Sequence, residues 1–180
     1  VNKRKVQKSD FTFSGTEGKA DYPISNLFDD DNSKLYIPSI ENSASFNNSI
    51  TISFKKTYNL EAFLISTPLN ANNGLKGFPR VVAVYTSTGN QQLSLKTTFI
   101  ANPFNTWNKI QYVFTEPILC DNLKLEFYDL YGDSKNPIIA GLVFLEKQET
   151  LKITGTTGLY NYSGYVKSHA INPSEFTYSG

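Results

Sequence analysis

Apolar and polar positions alternate along most of this chain in runs too short for a helix. Ile50-Thr51-Ile52-Ser53-Phe54 has period two, placing Ile50, Ile52 and Phe54 on one buried face and Thr51 and Ser53 on the other. Ala62-Phe63-Leu64-Ile65 is apolar throughout and reads as a strand covered on both faces. Val81 to Tyr85 leads into Ser87-Thr88-Gly89-Asn90, where Gly and Asn accept the positive φ of a hairpin turn, and Leu93 to Thr98 is the returning arm. Lys109 to Phe114 alternates through Ile110, Tyr112 and Phe114, and Glu116-Pro117 is expected to stop it. Leu123 to Tyr128 alternates again with Leu123, Leu125 and Phe127 inward, and Ile138 to Leu145 supplies a closing strand. Helix is expected only as single turns, around Pro23 to Phe28, because longer segments lack a 3.6-residue apolar period.

Strands at intervals of about ten residues, separated by Asn, Gly, Pro and Ser, predict an all-β fold, an antiparallel jelly-roll β-sandwich. Parallel α/β folds and helix bundles lack the helices they require. Ser9-Asp10-Phe11-Thr12-Phe13-Ser14-Gly15 recurs as Ser174-Glu175-Phe176-Thr177-Tyr178-Ser179-Gly180. Either a second copy of the domain opens after about residue 150, or such strings recur by chance in a Ser-, Thr- and aromatic-rich chain. The expected organisation is a leader over 1–8, one domain over 9–148, and a linker with a possible second repeat over 149–180.

Composition narrows the function classes. Over 180 residues, 17 Lys and Arg face 16 Asp and Glu, a formal charge of +1 that gives no broad attraction to nucleic acid. The one dense basic run, Lys3-Arg4-Lys5, reads as part of a solvated leader. One cysteine, Cys120, allows neither an internal disulfide, a structural zinc site nor a CxxC redox pair. No run approaches the roughly 20 apolar residues of a membrane span. The chain contains no Met, even at position 1, so a processed chain or a fragment is expected.

The order of these elements resembles the discoidin or coagulation-factor type C domains, a family of galactose-binding-like jelly rolls. That family opens with a strand ending in Ser, then a loop of the type N-a-i-D-G-D-x-x-T-x-W, an alternating strand, and a P-x-x-x-x-x-Y-x-S-x-D-G hairpin. Here Phe11 to Ser14 matches the opening strand, and Asn26-Leu27-Phe28-Asp29-Asp30-Asp31-Asn32-Ser33-Lys34-Leu35-Tyr36 matches the loop. Ile50 to Phe54 follows, then Pro79 to Gly89, and Glu116-Pro117, Asp121 to Leu125 and Ile139 to Val143 resemble the last core strands. The likeness covers about residues 9 to 147. It implies a structural calcium in the loop, held through an Asp, a Thr, backbone carbonyls and a final-strand Glu. Asp29 and Asp31 are present, but the Thr position is Lys34 and the Glu position is Gly141. Ca²⁺ needs six to eight oxygens at about 2.3 to 2.6 Å, so the expectation is a self-neutralised loop, with a calcium site at Asp29 and Asp31 as the alternative and no other cofactor. Tyr36, in place of the family's Trp, reads as a packing change in the core.

Catalytic chemistry finds little footing. The carboxylates offer no pair whose environments would separate their pKa values. His169 is the sole imidazole and lies beyond the recognisable domain, while Cys120 sits where the family has a small buried residue. HExxH, GxSxG and glycine-rich phosphate loops are all missing from the sequence. We therefore expect no enzyme.

A sandwich does offer a rim of loops at one end. By the family's layout the rim comprises 15–25, 36–49 and 66–78, with 128–137 adjoining. Its candidate ligand contacts are the amides of Asn70, Asn72 and Asn73, the aromatic rings of Tyr22, Phe46 and Phe78, the ammonium of Lys76, and Trp107 as either a stacking platform or a core cap. Ordinary backbone-capping turns are the competing reading of the Asn-rich loops. Leu69, Leu75, Phe46 and Phe78 with Lys76 and Arg80 weakly imitate membrane-binding spikes. Asn47-Asn48-Ser49 and Asn161-Tyr162-Ser163 are acceptor sequons in a secretory setting. The leading expectation is a non-catalytic adhesion module, extracellular or at the cell surface, whose partner is a glycan or glycoprotein. The rivals are a repeat unit of a surface filament that self-associates through 151–180, and an accessory domain of a larger glycan- or protein-degrading enzyme.

Overall fold

The computed structural model describes residues 4–67, 76–101, 109–148, 152–157 and 160–165. The chain divides into two units, Val1–Lys147 and Gln148–Gly180. In the second, β8 (Lys152–Thr157) pairs antiparallel with β9 (Tyr160–Tyr165). The expected repeat at 174–180 lies outside the described residues.

Among its described residues the first unit has seven strands, β1 (Arg4–Lys5), β2 (Phe11–Gly15), β3 (Ser49–Ser66), β4 (Pro79–Ser87), β5 (Ser94–Ile100), β6 (Lys109–Leu130) and β7 (Gly141–Glu146). They form one seven-stranded hydrogen-bonded sheet, ordered β1-β7-β3-β6-β4-β5 with β2 also on β3. Every pairing is antiparallel. Short 3-10 turns occupy Lys8–Asp10 and Ile24–Phe28, the second where a single turn is expected.

β3 and β6 are long, 18 and 22 residues, and each serves both layers of a sandwich. β2 pairs with the first part of β3, from Phe11 opposite Phe54 to Gly15 opposite Ile50. β7 takes the later part, from Leu60 opposite Glu146 to Ser66 opposite Gly141. Between them the β3–β6 register shifts at Ser53/Tyr58 and again at Leu60/Ala62. Bulges of this kind bend a strand and increase its twist, which carries both strands from one layer to the other. The two layers meet through aromatic rings: Phe54 and Phe144 lie edge to face at 5.6 Å, and so do Phe63 and Phe99 at 5.7 Å. The expected jelly-roll β-sandwich is the fold observed.

Two local expectations are corrected. Glu116-Pro117 does not end a strand; β6 runs through it, because Leu60 faces Ile118 while Ala62 faces Val113, leaving 114–117 in the bulge. A proline there removes no rung of the ladder. Residues 4–6 are not a solvated leader either. Arg4 and Lys5 pair with Glu146 and Leu145, the Val6 N–H donates to Phe144 O at 2.9 Å, and the Val6 side chain is 3% exposed. The burial of an apolar side chain next to a free sheet edge outweighs the basic run's preference for water.

The alternation expected along β3 and β6 is realised: Ile50, Ile52, Leu123, Leu125 and Phe127 are all 0% exposed. Ala62, Phe63 and Ile65 are fully buried, and Leu64 half-buried. Tyr36 is also fully buried, its hydroxyl donating to Thr16 O at 2.5 Å, so the residue in the family's Trp position joins loop to core. Among the described residues no helix is long and apolar enough to cross a membrane.

Phe63 stacks on Tyr112 at 4.7 Å and touches Phe99 and Phe114. Phe63→Ala should cost about 3–5 kcal/mol in urea unfolding and Phe63→Leu far less, since Leu refills most of the space. Cys120 is fully buried, and burial, helped by the Asp121 charge, pushes its thiol up to about 12. At pH 8 a thiol reagent should leave the folded protein unlabelled and react once urea unfolds it.

Candidate functional site

Because β3 and β6 double back, their ends and the connecting loops gather at one pole. Hydrogen bonds between backbone groups tie the loops together. Lys19 N–H donates to Ile37 O at 2.9 Å and Ile37 N–H to Tyr22 O at 3.2 Å, joining the first loop to the second. Tyr36 and Ile139 exchange bonds of 2.8 and 3.2 Å, and Ala140 N–H reaches Ser66 O at 2.9 Å. Gly77 N–H donates to Tyr131 O, and Ile138 N–H to Gly77 O.

Side-chain amides, two buried and one half-buried, complete this lattice. Asn136 Nδ2 donates to Pro38 O at 2.7 Å, Asn42 Nδ2 to Phe127 O at 2.8 Å, and Asn48 Nδ2 to Ile40 O at 2.9 Å. For these three residues, capping of backbone is the observed role. Two glycines allow the loops to close. Gly77 has φ +79°, and a Cβ there would lie 2.6 Å from Ile138 Cγ1; a Cβ on Gly18 would lie 2.1 Å from Tyr22 O.

The candidate ligand contacts divide three ways. Tyr22 and Phe46 are each 37% exposed, Tyr22 beside Pro23 and Phe46 in a turn where Ser43 N–H donates to Phe46 O. Lys76 is exposed, its backbone packed toward Gly132. Phe78 is 1% exposed and belongs to the hydrophobic core, so it is corrected to a core residue; its backbone carbonyl accepts from Tyr131 N–H. Asn70, Asn72, Asn73 and Trp107, like Leu69 and Leu75, lie outside the described residues.

Tyr22 borders a shallow open groove of about 580 Å³ lined also by Asp21, Pro23, Asn26, Ser33, Lys34 and Leu35. Asn26 pins its floor, donating from Nδ2 to Leu35 O at 2.8 Å. An aromatic ring, a carboxylate, an amide, a hydroxyl and an ammonium thus line one concavity, with Asn26 Nδ2 bound to Leu35 O and Ser33 Oγ to Asp31 Oδ1, a set that can pack against one face of a ring and accept or donate to its substituents. Asp21 and Asn26 are missed by reasoning on aromatics and clustered amides. Their sequence signals are that Asp21 adjoins Tyr22-Pro23 and that Asn26 opens the loop motif.

Beside the groove lies the turn expected to hold calcium or neutralise itself. Asp31 Oδ1 accepts from Ser33 Oγ at 2.6 Å and Ser33 N at 3.0 Å, and Asp29 Oδ1 accepts from Asp31 N at 3.0 Å. The Ser33 hydroxyl and then its N–H hold the Asp31 carboxyl below its ordinary value, with Lys34 adding to them. Lys34 Nζ lies 3.4 Å from Asp29 Oδ2 and 3.9 Å from Asp31 Oδ2. Ca²⁺ needs six to eight oxygens turned toward it and no ammonium among them, whereas here the carboxylate oxygens are bonded to Ser33, Asp31 N–H and Lys34. The donor set does not fit calcium.

No protein-family model matches the chain, and no curated protein matches it at a significant level. Solved structures do. The family 32 carbohydrate-binding module of NanJ from Clostridium perfringens, in complex with galactose, superposes with a TM-score of 0.65 at 18% identity, covering 79% of this chain and 98% of that one. The fold is that of the discoidin-like jelly rolls. An F5/8 type C domain from Bacteroides fragilis matches this chain with a TM-score of 0.67 at 12% identity, covering 82% and 99%. The chain also matches a Clostridium perfringens ZmpB structure holding two family 32 modules and an M60 catalytic domain. There the TM-score is 0.67 at 17% identity, over 80% of this chain and 15% of that one.

Gly77→Ala should destabilise the protein more than Gly89→Ala. Both residues have positive φ, but a Cβ at 77 meets Ile138 and Asn136 whereas a Cβ at 89 meets nothing within 4 Å. A left-handed non-glycine residue costs on the order of 1–3 kcal/mol, and urea midpoints of the two variants measure the added clash.

Proposed function

We propose that this chain is a carbohydrate-binding module that recognises a neutral sugar at the loop pole and leaves it unchanged. The observation that carries the reading is the groove at Tyr22, where an exposed ring borders Asp21, Asn26 and Ser33 on a pole held by side-chain amides. Support comes from structural neighbours whose own complexes hold galactose or N-acetylgalactosamine. Tyr22 and Phe46 supply stacking faces and Lys76 a hydrogen-bond donor; Asn70, Asn72, Asn73 and Trp107 complete the proposed site. The module acts outside the cell, attaching its bearer to glycans or glycoproteins.

Within that reading it serves as an accessory domain of a larger glycan- or protein-degrading enzyme. What favours this is that similar modules come from a family 31 glycoside hydrolase and from ZmpB with its M60 catalytic domain.

The test is glycan-array binding followed by calorimetry with galactose and N-acetylgalactosamine. Tyr22→Ala should weaken binding about tenfold, equivalent to about 1.4 kcal/mol, with an unchanged circular dichroism spectrum. Phe46→Ala should weaken it in the same direction. A folded protein that captures no glycan, or alanine variants that bind like the parent, would overturn the reading.

A further inference from the structure

We propose that the Lys34 ammonium is the resident cation of the Asp29–Asp31 turn, standing where the family resemblance expects a divalent metal, so that this pole is set without calcium. Three placements carry the inference. Lys34 Nζ sits between two carboxylates, 3.4 Å from Asp29 Oδ2 and 3.9 Å from Asp31 Oδ2. The remaining acceptors of those carboxylates are already engaged, Asp29 Oδ1 by Asp31 N–H and Asp31 Oδ1 by Ser33. The β7 position that would send in a further carboxylate is Gly141, where even a Cβ would lie 3.0 Å from Asn32 Oδ1 and 3.4 Å from Ser66 Oγ.

Asp30, the third carboxylate, adopts φ 60° and pairs with Lys5 of β1. Two ammoniums therefore answer three carboxylates in one turn. An ammonium on a flexible stem neutralises charge through at most three donors, whereas a calcium ion demands six to eight oxygens in its shell. Only the first requirement is met here. Ser33 and Lys34 also line the groove beside Tyr22. Lys34 is thus a positioning residue for that wall, by a route independent of whether a sugar binds.

The test is thermal unfolding of the whole chain in EDTA and in millimolar CaCl2, with titration of CaCl2 by calorimetry. The parent protein should show the same Tm within about 1 °C in both and no saturable heat, since a ligand of the native state would raise Tm in proportion to its occupancy. Lys34→Met keeps the stem and removes the charge, and should lower Tm by about 2–4 °C at low salt. That loss should shrink as NaCl screens the unpaired carboxylates, and Lys34→Arg should restore the parent value. A parent Tm that climbs with calcium, a saturable calcium heat, or a Lys34→Met protein as stable as the parent at low salt would each overturn the proposal. Should Lys34→Met not fold, the calcium titration of the parent and the Lys34→Arg melt decide it.

Discussion

The pairing of β3 with β6 along nearly their whole lengths, bent through bulges, is the constraint on which the molecule rests. Each strand lends its two halves to opposite layers, so the core is enclosed by chain that is continuous across the layers. Phe54, Phe63, Phe99 and Phe144 lock the arrangement by packing edge to face between layers. A flat pair of the same length would leave one face of each strand in water, and the apolar residues on it would lose the burial that stabilises them. The bulges are therefore structural devices, and Pro117 is tolerated because it falls in one.

Doubling the long strands back on themselves also creates the functional geography. Their ends converge, and the loops between them must cross at one pole. Buried backbone there needs partners, and these loops have too little regular structure to supply them all. Asn42, Asn48 and Asn136 make up part of the difference, Asn42 and Asn136 donating to carbonyls of other segments and Asn48 to Ile40 O within its own loop. Among the described residues of these loops, the rings of Tyr22 and Phe46 and the ammonium of Lys76 stay exposed outside that lattice. Rigidity of this kind reduces the ordering cost of binding.

The acidic turn follows the same economy. Asp29, Asp30 and Asp31 in succession would repel one another, and the chain answers with Lys34 from within the turn and Lys5 from the first strand. The second pairing links the outermost strand to the pole, so residues 4–6 contribute to the fold although their composition suggests a solvated tail.

What the sequence by itself determined is local. Period-two alternation marked which of Ile50, Ile52, Phe54, Leu123, Leu125 and Phe127 face inward, and Gly89 marked the hairpin between β4 and β5, because strand geometry and turn dihedrals depend on neighbours a few residues away. Lys34 and Gly141 already argued against calcium, since ligand chemistry is a property of residue type. Tertiary structure alone decided the rest. Whether Pro117 breaks a strand depends on what lies opposite it, whether Val6 is solvated depends on a free edge of β7, and whether Phe78 or Tyr22 presents its ring depends on the loops at Tyr131 and Ile37 that bond to them. Those outcomes are set by pairings between segments far apart along the chain, to which a period read along one segment is blind.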